Sequence, residues 1–177
     1  GFSEIHTTNI NFLYLPIEEW LFFIIIPFSC LFIYESVKYF HDVKKYNEPV
    51  RWFYLLLGAI LILVGSINYE KSYTFWNFIF CGLFLIYSGH KVRDYHAEFL
   101  LAYLYSLIPF FIINGVLTDG NFDFNHFTEP VVWYNNNENL FIRIITIPFE
   151  DLFYSMLLLI MNVTFYEKFM SKSVKDI

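Results

Sequence analysis

Charged residues and cysteines are both scarce in this sequence. Charged residues make up 16% of its 177 positions, whereas soluble domains usually carry about 25%. Acidic residues exceed basic ones, 17 to 11, and the resulting net charge of −6 argues against a nucleic-acid partner. The two cysteines, Cys30 and Cys81, fall inside apolar runs, so the sequence implies no disulfide. The chain therefore has the features of neither an ordinary soluble domain nor a nucleic-acid-binding protein.

The sequence also lacks the common signatures of cofactor sites. It contains neither a G-x-G-x-x-G run nor a Walker motif, so no nucleotide or flavin site follows. The run His96-Ala97-Glu98 has no Pro-Cys-x-x-Cys partner, which argues against a zinc deaminase site. We expect no cofactor and no metal.

Apolar residues dominate instead. Hydrophobic residues make up 57% of the chain and aromatic residues 23%. Five segments approach the roughly 20 apolar residues that a membrane span needs; they are residues 16–39, 52–69, 73–90, 97–117 and 141–166. Because backbone groups must be paired in lipid, helices are expected. The sequence predicts an all-α polytopic transmembrane bundle with five spans.

The basic residues lie in alternate connections between these segments. Lysine and arginine are concentrated between the first two segments, between the third and fourth, and after the fifth. The positive-inside rule places those connections in the cytoplasm. The N-terminus of this chain is then expected outside, the C-terminus inside, and the acidic loop 118–139 outside.

One acidic motif occurs twice, each time at the head of an apolar segment. The copies are offset by 132 positions and read Pro16-Ile17-Glu18-Glu19 and Pro148-Phe149-Glu150-Asp151. The same offset places Tyr34-Glu35 onto Tyr166-Glu167. A proline followed by acidic residues is also simply a good helix start. Carboxylates are costly beside lipid, however, so two matched copies indicate a functional site.

The offset predicts a domain organisation. Residues 1–40 form the end of a first repeat, residues 41–72 a linking transmembrane helix, and residues 73–177 a second repeat that contains the outer loop 118–139. The first residue is Gly and not Met. We expect two further helices before it, which gives seven in the complete protein as two three-helix repeats and the linking helix.

The residue types point to proton chemistry. A carboxylic acid kept neutral in an apolar site can deliver a proton to carbon, and an ionised neighbour can stabilise a cation or take a proton back. The candidate acids and bases are the two acidic pairs. Aromatic faces can stabilise a carbocation, although packing is an equally ordinary role for them. The candidates are Trp20, Phe22, Phe23, Phe149, Phe153 and Tyr154.

Two further polar residues are candidates for the same site. Asn114 lies in an apolar run, where it is expected to hydrogen-bond another helix or to line the site. Arg143 precedes the second motif and is expected to pair with an acidic residue or to anchor a helix end.

The chain resembles the integral-membrane lycopene cyclases, which occur as paired bacterial subunits, as single bacterial or archaeal chains and as a domain of a fungal enzyme. It looks most like the single-chain bacterial form with the first helices absent. The resemblance covers essentially the whole chain. It is carried by the runs LPIEEWLFF, IPFEDLFY, IPFFIINGVLT and EPVVWYNNNENLFIRI.

This resemblance implies a redox-neutral isomerase of the intramolecular lyase type in carotenoid biosynthesis. An acid protonates the terminal double bond of lycopene, a further double bond closes a six-membered ring, and proton loss leaves a β-ionone ring. Glu18, Glu19, Glu150 and Asp151 match the family's acidic motif. The implied partners are lycopene and γ-carotene in the lipid of a bacterial inner membrane, and a second copy or other carotenoid enzymes. Alternatives from the residues are a proton-coupled transporter and a carotenoid hydratase.

Overall fold

Five helices make up most of the part of the chain that the computed structural model describes, which is residues 8, 10–13, 15–118 and 130–173. A short 3₁₀ helix, Lys44–Tyr46, precedes the second of them. The helices are α1 (Ile17–Phe40), α2 (Asn47–Ile67), α3 (Ser72–Gly89), α4 (His96–Thr118) and α5 (Glu150–Ser173). The predicted all-α helical bundle is confirmed. Residues 119–129 of the predicted outer loop lie outside the described residues.

Three segments among the described residues are long and apolar enough to cross a membrane: α1, Lys44–Ile67 and α4. They identify the chain as a membrane protein on length and composition. Helix α3 has only 18 residues and α5 begins with two acidic residues. For these two helices, spanning the membrane stays a prediction.

Two short antiparallel hairpins precede the helices that begin with the acidic motif. The first pairs β1 (Asn11–Phe12) with β2 (Leu15–Pro16), and the second pairs β3 (Arg143–Ile144) with β4 (Ile147–Pro148). The predicted start of the fifth span at residue 141 is therefore wrong, because α5 begins nine residues later. Phe141 and Ile145 both have φ of 61°, which a right-handed helix does not allow. The prolines of the motifs lie in β2 and β4, just before each helix.

Helices α2 and α3 form a closely packed pair. A Cβ atom on Gly58 would lie 2.8 Å from the carbonyl oxygen of Gly82, and one on Gly82 would lie 2.7 Å from that of Gly58. Glycine at both positions allows the two backbones to touch, as is common between membrane helices. Helix α3 packs in turn on α5, while α1 packs on α4.

The side chains that the fold leaves exposed are largely apolar. On α1, Ile24, Phe28 and Phe32 are each about two-thirds or more exposed. The core contains Tyr34 and Tyr54, which are fully buried. Because water penalises such a surface, it fits lipid as the surrounding medium.

Candidate active site

The Glu150 carboxyl lies at the head of α5 and is fully buried. Its Oε1 accepts hydrogen bonds from Thr74 Oγ1 and from the backbone N–H of Leu140, both at 2.6 Å. Its backbone carbonyl accepts a third bond, from Asn77 Nδ2, at 2.7 Å. Its Oε2 is shielded from solvent and has no hydrogen-bond partner among the described residues. One oxygen of this carboxyl is thus held by two donors, and the other is held by none among the described residues.

The neighbouring Asp151 carboxyl has a different environment. Its Oδ1 accepts a short hydrogen bond from the Tyr73 hydroxyl, and its Oδ2 accepts one from the Tyr134 hydroxyl at 2.6 Å. Burial raises the pKa of the Tyr134 hydroxyl, and the adjacent Asp151 adds to the shift. The phenol therefore stays protonated and donates. Both oxygens of the Asp151 carboxyl therefore have phenolic donors.

The Glu18 carboxyl at the head of α1 shares one contact with Glu150, although it is only partly buried. Its Oε1 accepts a hydrogen bond from the backbone N–H of Thr8 at 2.8 Å. Its Oε2 is shielded and has no hydrogen-bond partner among the described residues. Thr8 and Leu140 differ by 132 positions, as do Glu18 and Glu150. The two glutamates are held by equivalent backbone groups.

The backbone around the two motifs matches at the same offset. The N–H of Ile17 donates to the carbonyl of Ile10 at 2.9 Å, and the N–H of Phe149 donates to that of Ile142, also at 2.9 Å. The two hairpins pair residues at equivalent positions. Each hairpin therefore folds back over the helix start and brings a backbone N–H to the glutamate.

Tyr134 connects the two motifs. Its hydroxyl bonds Asp151, and the charge of Glu19, which is partly buried, also acts on it. The charges of Glu19 and Asp151 also act on the hydroxyl of Tyr154, a residue that is 37% exposed. Acidic residues of both motifs thus act on the Tyr134 hydroxyl.

The predicted aromatic residues lie around the two helix heads. Trp20 donates from Nε1 to the carbonyl of Phe12 at 2.9 Å and meets that ring edge-on. Phe22 and Phe23 are half-buried and form an edge contact with centroids 6.3 Å apart. These residues pack the first hairpin and α1.

A second aromatic group lies beneath Glu150. The Phe153 ring meets Phe149 edge-on at 5.1 Å and Phe78 at 5.2 Å. The sequence predicts Phe149 and Phe153 as site residues. The structure adds Phe78, which lies on α3. Their faces supply the kind of surface that stabilises a passing cation.

The expectations for Asn114 and Arg143 are corrected in part. Asn114 Nδ2 donates to the carbonyl of Phe110 on its own helix at 3.0 Å, and not to another helix. Arg143 is exposed and donates to the Thr146 carbonyl and to Asn136 Oδ1, so it forms no ion pair among the described residues. The Asn114 amide is therefore satisfied by a carbonyl one turn back on its own helix.

Arg143 therefore hydrogen-bonds both the loop before the second hairpin and the turn of that hairpin.

Sequence reasoning missed the residues that hold the second acidic pair. Tyr73, Thr74 and Asn77 come from α3, and Tyr134 comes from the loop before α5. The signal for the first three was their spacing, because positions i, i+1 and i+4 share one face of a helix. Three polar groups on one face of an apolar run indicate a buried partner.

The Tyr-Glu pairs at the other end of α1 and α5 contact each other reciprocally. The Tyr34 hydroxyl donates to Glu167 Oε1 at 2.6 Å, and the Tyr166 hydroxyl interacts with Glu35. Lys38 Nζ lies 2.7 Å from Glu167 Oε1. Sixteen helical residues separate Tyr34 from Glu18, or about 24 Å along the helix. This cluster joins the two helices and lies far from the acidic pairs.

The site combines buried carboxyls, hydroxyl donors and aromatic rings. No group of three or more metal-ligating side chains forms within the described parts of the chain. Among the described residues, a carboxyl with one oxygen that lacks a hydrogen-bond partner lies beside a carboxyl held by two phenols, an arrangement that can take part in proton transfer.

Comparison with known proteins assigns the family. No curated protein and no solved structure matches the chain. The sequence model of the lycopene cyclases matches residues 1–37 and 70–169, which include both acidic motifs and leave out α2. This match covers most of the chain, and the chain belongs to the lycopene cyclase family.

Proposed function

We propose that this protein is a lycopene β-cyclase that closes the acyclic ends of lycopene by proton transfer within the membrane. Family membership supports an enzyme of carotenoid cyclisation. The observation that carries the finer proposal is the pair of glutamates at equivalent positions. Each has one hydrogen-bonded oxygen and one shielded oxygen without a partner among the described residues. Lycopene and γ-carotene reach such a site from the bilayer, since both are hydrocarbons.

The reaction starts at Oε2 of Glu150. The carboxyl proton passes to the terminal double bond of the substrate, and a tertiary cation forms. A further double bond attacks this cation, and one carbon–carbon bond closes the six-membered ring. The charge then lies on the ring, where the Asp151 carboxylate and the rings of Phe149 and Phe153 stabilise it.

A carboxylate of the site removes the neighbouring ring proton. We assign this step to Asp151, because a carbocation is acidic enough to lose a proton to a weak base. One proton enters and one leaves, so no oxidant or reductant is needed. Transfer of the proton from Asp151 back to Glu150 restores the starting state. Glu18 and Glu19 form the equivalent pair at the head of α1, and we propose the same chemistry there.

The test is expression in bacteria that accumulate lycopene, with extraction and chromatography of the carotenoids. We expect γ- and β-carotene from the natural protein. Glu150→Gln keeps an oxygen for Thr74 and Leu140 but carries no acidic proton. General acid catalysis contributes about 100-fold or more, so its product should fall by that factor, and Glu18→Gln should also reduce it. The exposed Glu70→Gln is the control.

Each outcome decides one part of the proposal. If lycopene is unchanged although the protein is folded and inserted in the membrane, the proposed β-cyclisation is wrong. Hydroxylated, uncyclised products would indicate capture of the cation by water, as in a hydratase. Full activity in Glu150→Gln would remove that residue from the acid role.

A further inference from the structure

Each of the two hairpins has exposed apolar side chains at or next to its turn. In the second hairpin, Ile145 is 77% exposed and Ile142 is more than half exposed. In the first, Leu13 is 66% exposed and Ile10 is more than half exposed. Ile10 and Ile142 differ by 132 positions, as do Leu13 and Ile145. These four residues, the hairpin tips, thus repeat one apolar pattern in front of both acidic motifs.

The backbone at both turns is unusual for such side chains. Leu13 has a φ of 49° and Ile145 a φ of 61°, a conformation that turns normally give to Gly, Asn or Asp. For a β-branched residue such as Ile it is rare and strained. A strained residue of this kind points to a role for its side chain. What the two turns share is that this side chain is large, apolar and exposed.

The polar groups beside Ile145 bond within the protein. Thr146 Oγ1 lies 2.6 Å from Thr118 Oγ1. Because the Thr118 hydroxyl donates to the Asn114 carbonyl, it accepts from Thr146. The Thr146 carbonyl accepts a hydrogen bond from Arg143. Polar groups that are paired in this way are what contact with lipid requires.

The contact between Thr146 and Thr118 also sets the depth of the second hairpin. Thr118 is the last residue of α4, which is long and apolar enough to cross a membrane. Strand β4 packs on the same helix. Ile112 and Val116, in the last two turns of α4, are exposed, so the apolar surface of the helix extends to the level of the hairpin. Ile145 therefore lies level with the end of a membrane span.

A charged side chain of the same hairpin marks the boundary of the lipid. Arg143 is exposed, and its guanidinium bonds Asn136 in the loop before the hairpin. Long cationic side chains near the ends of membrane segments reach the lipid headgroups. The second hairpin thus has an apolar tip and a cationic group, a combination that fits the boundary between headgroups and acyl chains.

We propose that the hairpin tips insert among lipid acyl chains just below the headgroups, on the side of the membrane where α1 and α5 begin. Interfacial segments bury their apolar side chains about 5–10 Å into this boundary. Two matching anchors then hold the heads of both helices at one depth, next to the layer in which hydrocarbons dissolve. This inference goes beyond the proposed function and does not depend on it.

The experiment measures the surroundings of a fluorophore at each tip. An environment-sensitive dye is attached to Ile145→Cys or to Leu13→Cys in protein whose free cysteines, Cys30 and Cys81, are replaced by alanine. The protein is reconstituted into phosphatidylcholine vesicles. We expect emission at short wavelength, strong quenching by lipids with a nitroxide near the headgroup end of the acyl chain, and weak quenching by iodide. Asn137→Cys, at an exposed loop position, is the control and should show the reverse.

Helical content and elution volume show whether each labelled variant is folded. The two tips are equivalent, so either position decides the proposal if the other variant does not fold. Iodide quenching at the tips as strong as at Asn137 would place them in water and overturn the proposal. Protection from both quenchers would overturn it as well, because protein and not lipid would then cover the tips.

Discussion

At the scale of single residues, the two carboxyls of one motif have different surroundings. Glu150 has one anchored oxygen and one without a hydrogen-bond partner in the described part of the chain. Asp151 accepts phenolic hydrogen bonds at both oxygens. Adjacent residues of similar chemical type thus have different hydrogen-bond environments.

Tyr73 is a positioning residue for Asp151. Tyr73→Phe removes one donor to a carboxylate and should lower kcat about tenfold, since such a bond contributes about 1.5–3 kcal/mol, while KM is unchanged. Tyr69→Phe, at an exposed position, is the control. Steady-state rates in lipid vesicles provide the measurement, and a rise in KM alone would show that Tyr73 contacts substrate instead.

The Tyr134 hydroxyl makes the free energy of unfolding depend on pH. Its pKa in the folded protein is raised, mainly by burial and then by Asp151, whereas the unfolded value is about 10. The hydroxyl therefore contributes stability that is present below pH 10 and is lost as the pH rises above it. Tyr134→Phe should reduce that loss by up to about 1.4 kcal/mol per pH unit.

Unfolding midpoints of the detergent-solubilised protein between pH 8 and 11 measure this difference. Tyr69→Phe, which removes an exposed hydroxyl of the same type, is the control. Equal slopes in Tyr134→Phe and the natural protein would contradict the assignment.

At the scale of elements, the α2–α3 pair depends on backbone contact at two glycines. The carbonyl oxygens of Gly58 and Gly82 each occupy the place of the other's missing Cβ atom. Helix α3 carries Tyr73, Thr74 and Asn77 to the acidic site, so its position is fixed on one side by α2 and on the other by α5. Close α2–α3 packing and the geometry of the site are therefore coupled.

Gly82→Ala should destabilise the protein. Its new methyl group would meet a backbone oxygen at 2.7 Å, and overpacking of this kind costs about 1–3 kcal/mol. Gly115→Ala is the control, because a Cβ atom there meets nothing within 4 Å and alanine favours a helix. Denaturation in detergent followed by circular dichroism gives the comparison. Equal stabilities would show that the two helices separate without cost.

At the scale of the whole molecule, α1 and α5 run side by side in the same direction. Tyr34 bonds Glu167 at one end, and at the other Tyr134 bonds Asp151 and is affected by the charge of Glu19. The equivalent hairpins lie at the same end of both helices. The heads of α1 and α5 thus lie at the same end of the bundle and have equivalent hairpins.

The basic connections predict which face that is. Cys30→Ala and Cys81→Ala first remove both native cysteines. In this background, Asn136→Cys should react with a membrane-impermeant maleimide in intact cells. Lys91→Cys should react only after lysis, since basic loops remain in the cytoplasm. Both positions are exposed, so access depends on side alone. Labelling of Lys91→Cys in intact cells would reverse the orientation.

The sequence by itself determined the helical class and the approximate positions of the helices. It also located the heads of α1 and α5, where the acidic pairs lie. Both results follow because the length of an apolar run and the repeated motif depend on local chemistry. It did not locate the hairpins, since positive φ at Phe141 and Ile145 has no glycine to signal it. Only the tertiary structure decided which groups hold each carboxyl. Glu150 and Thr74 are 76 positions apart, and packing between distant segments brings them together.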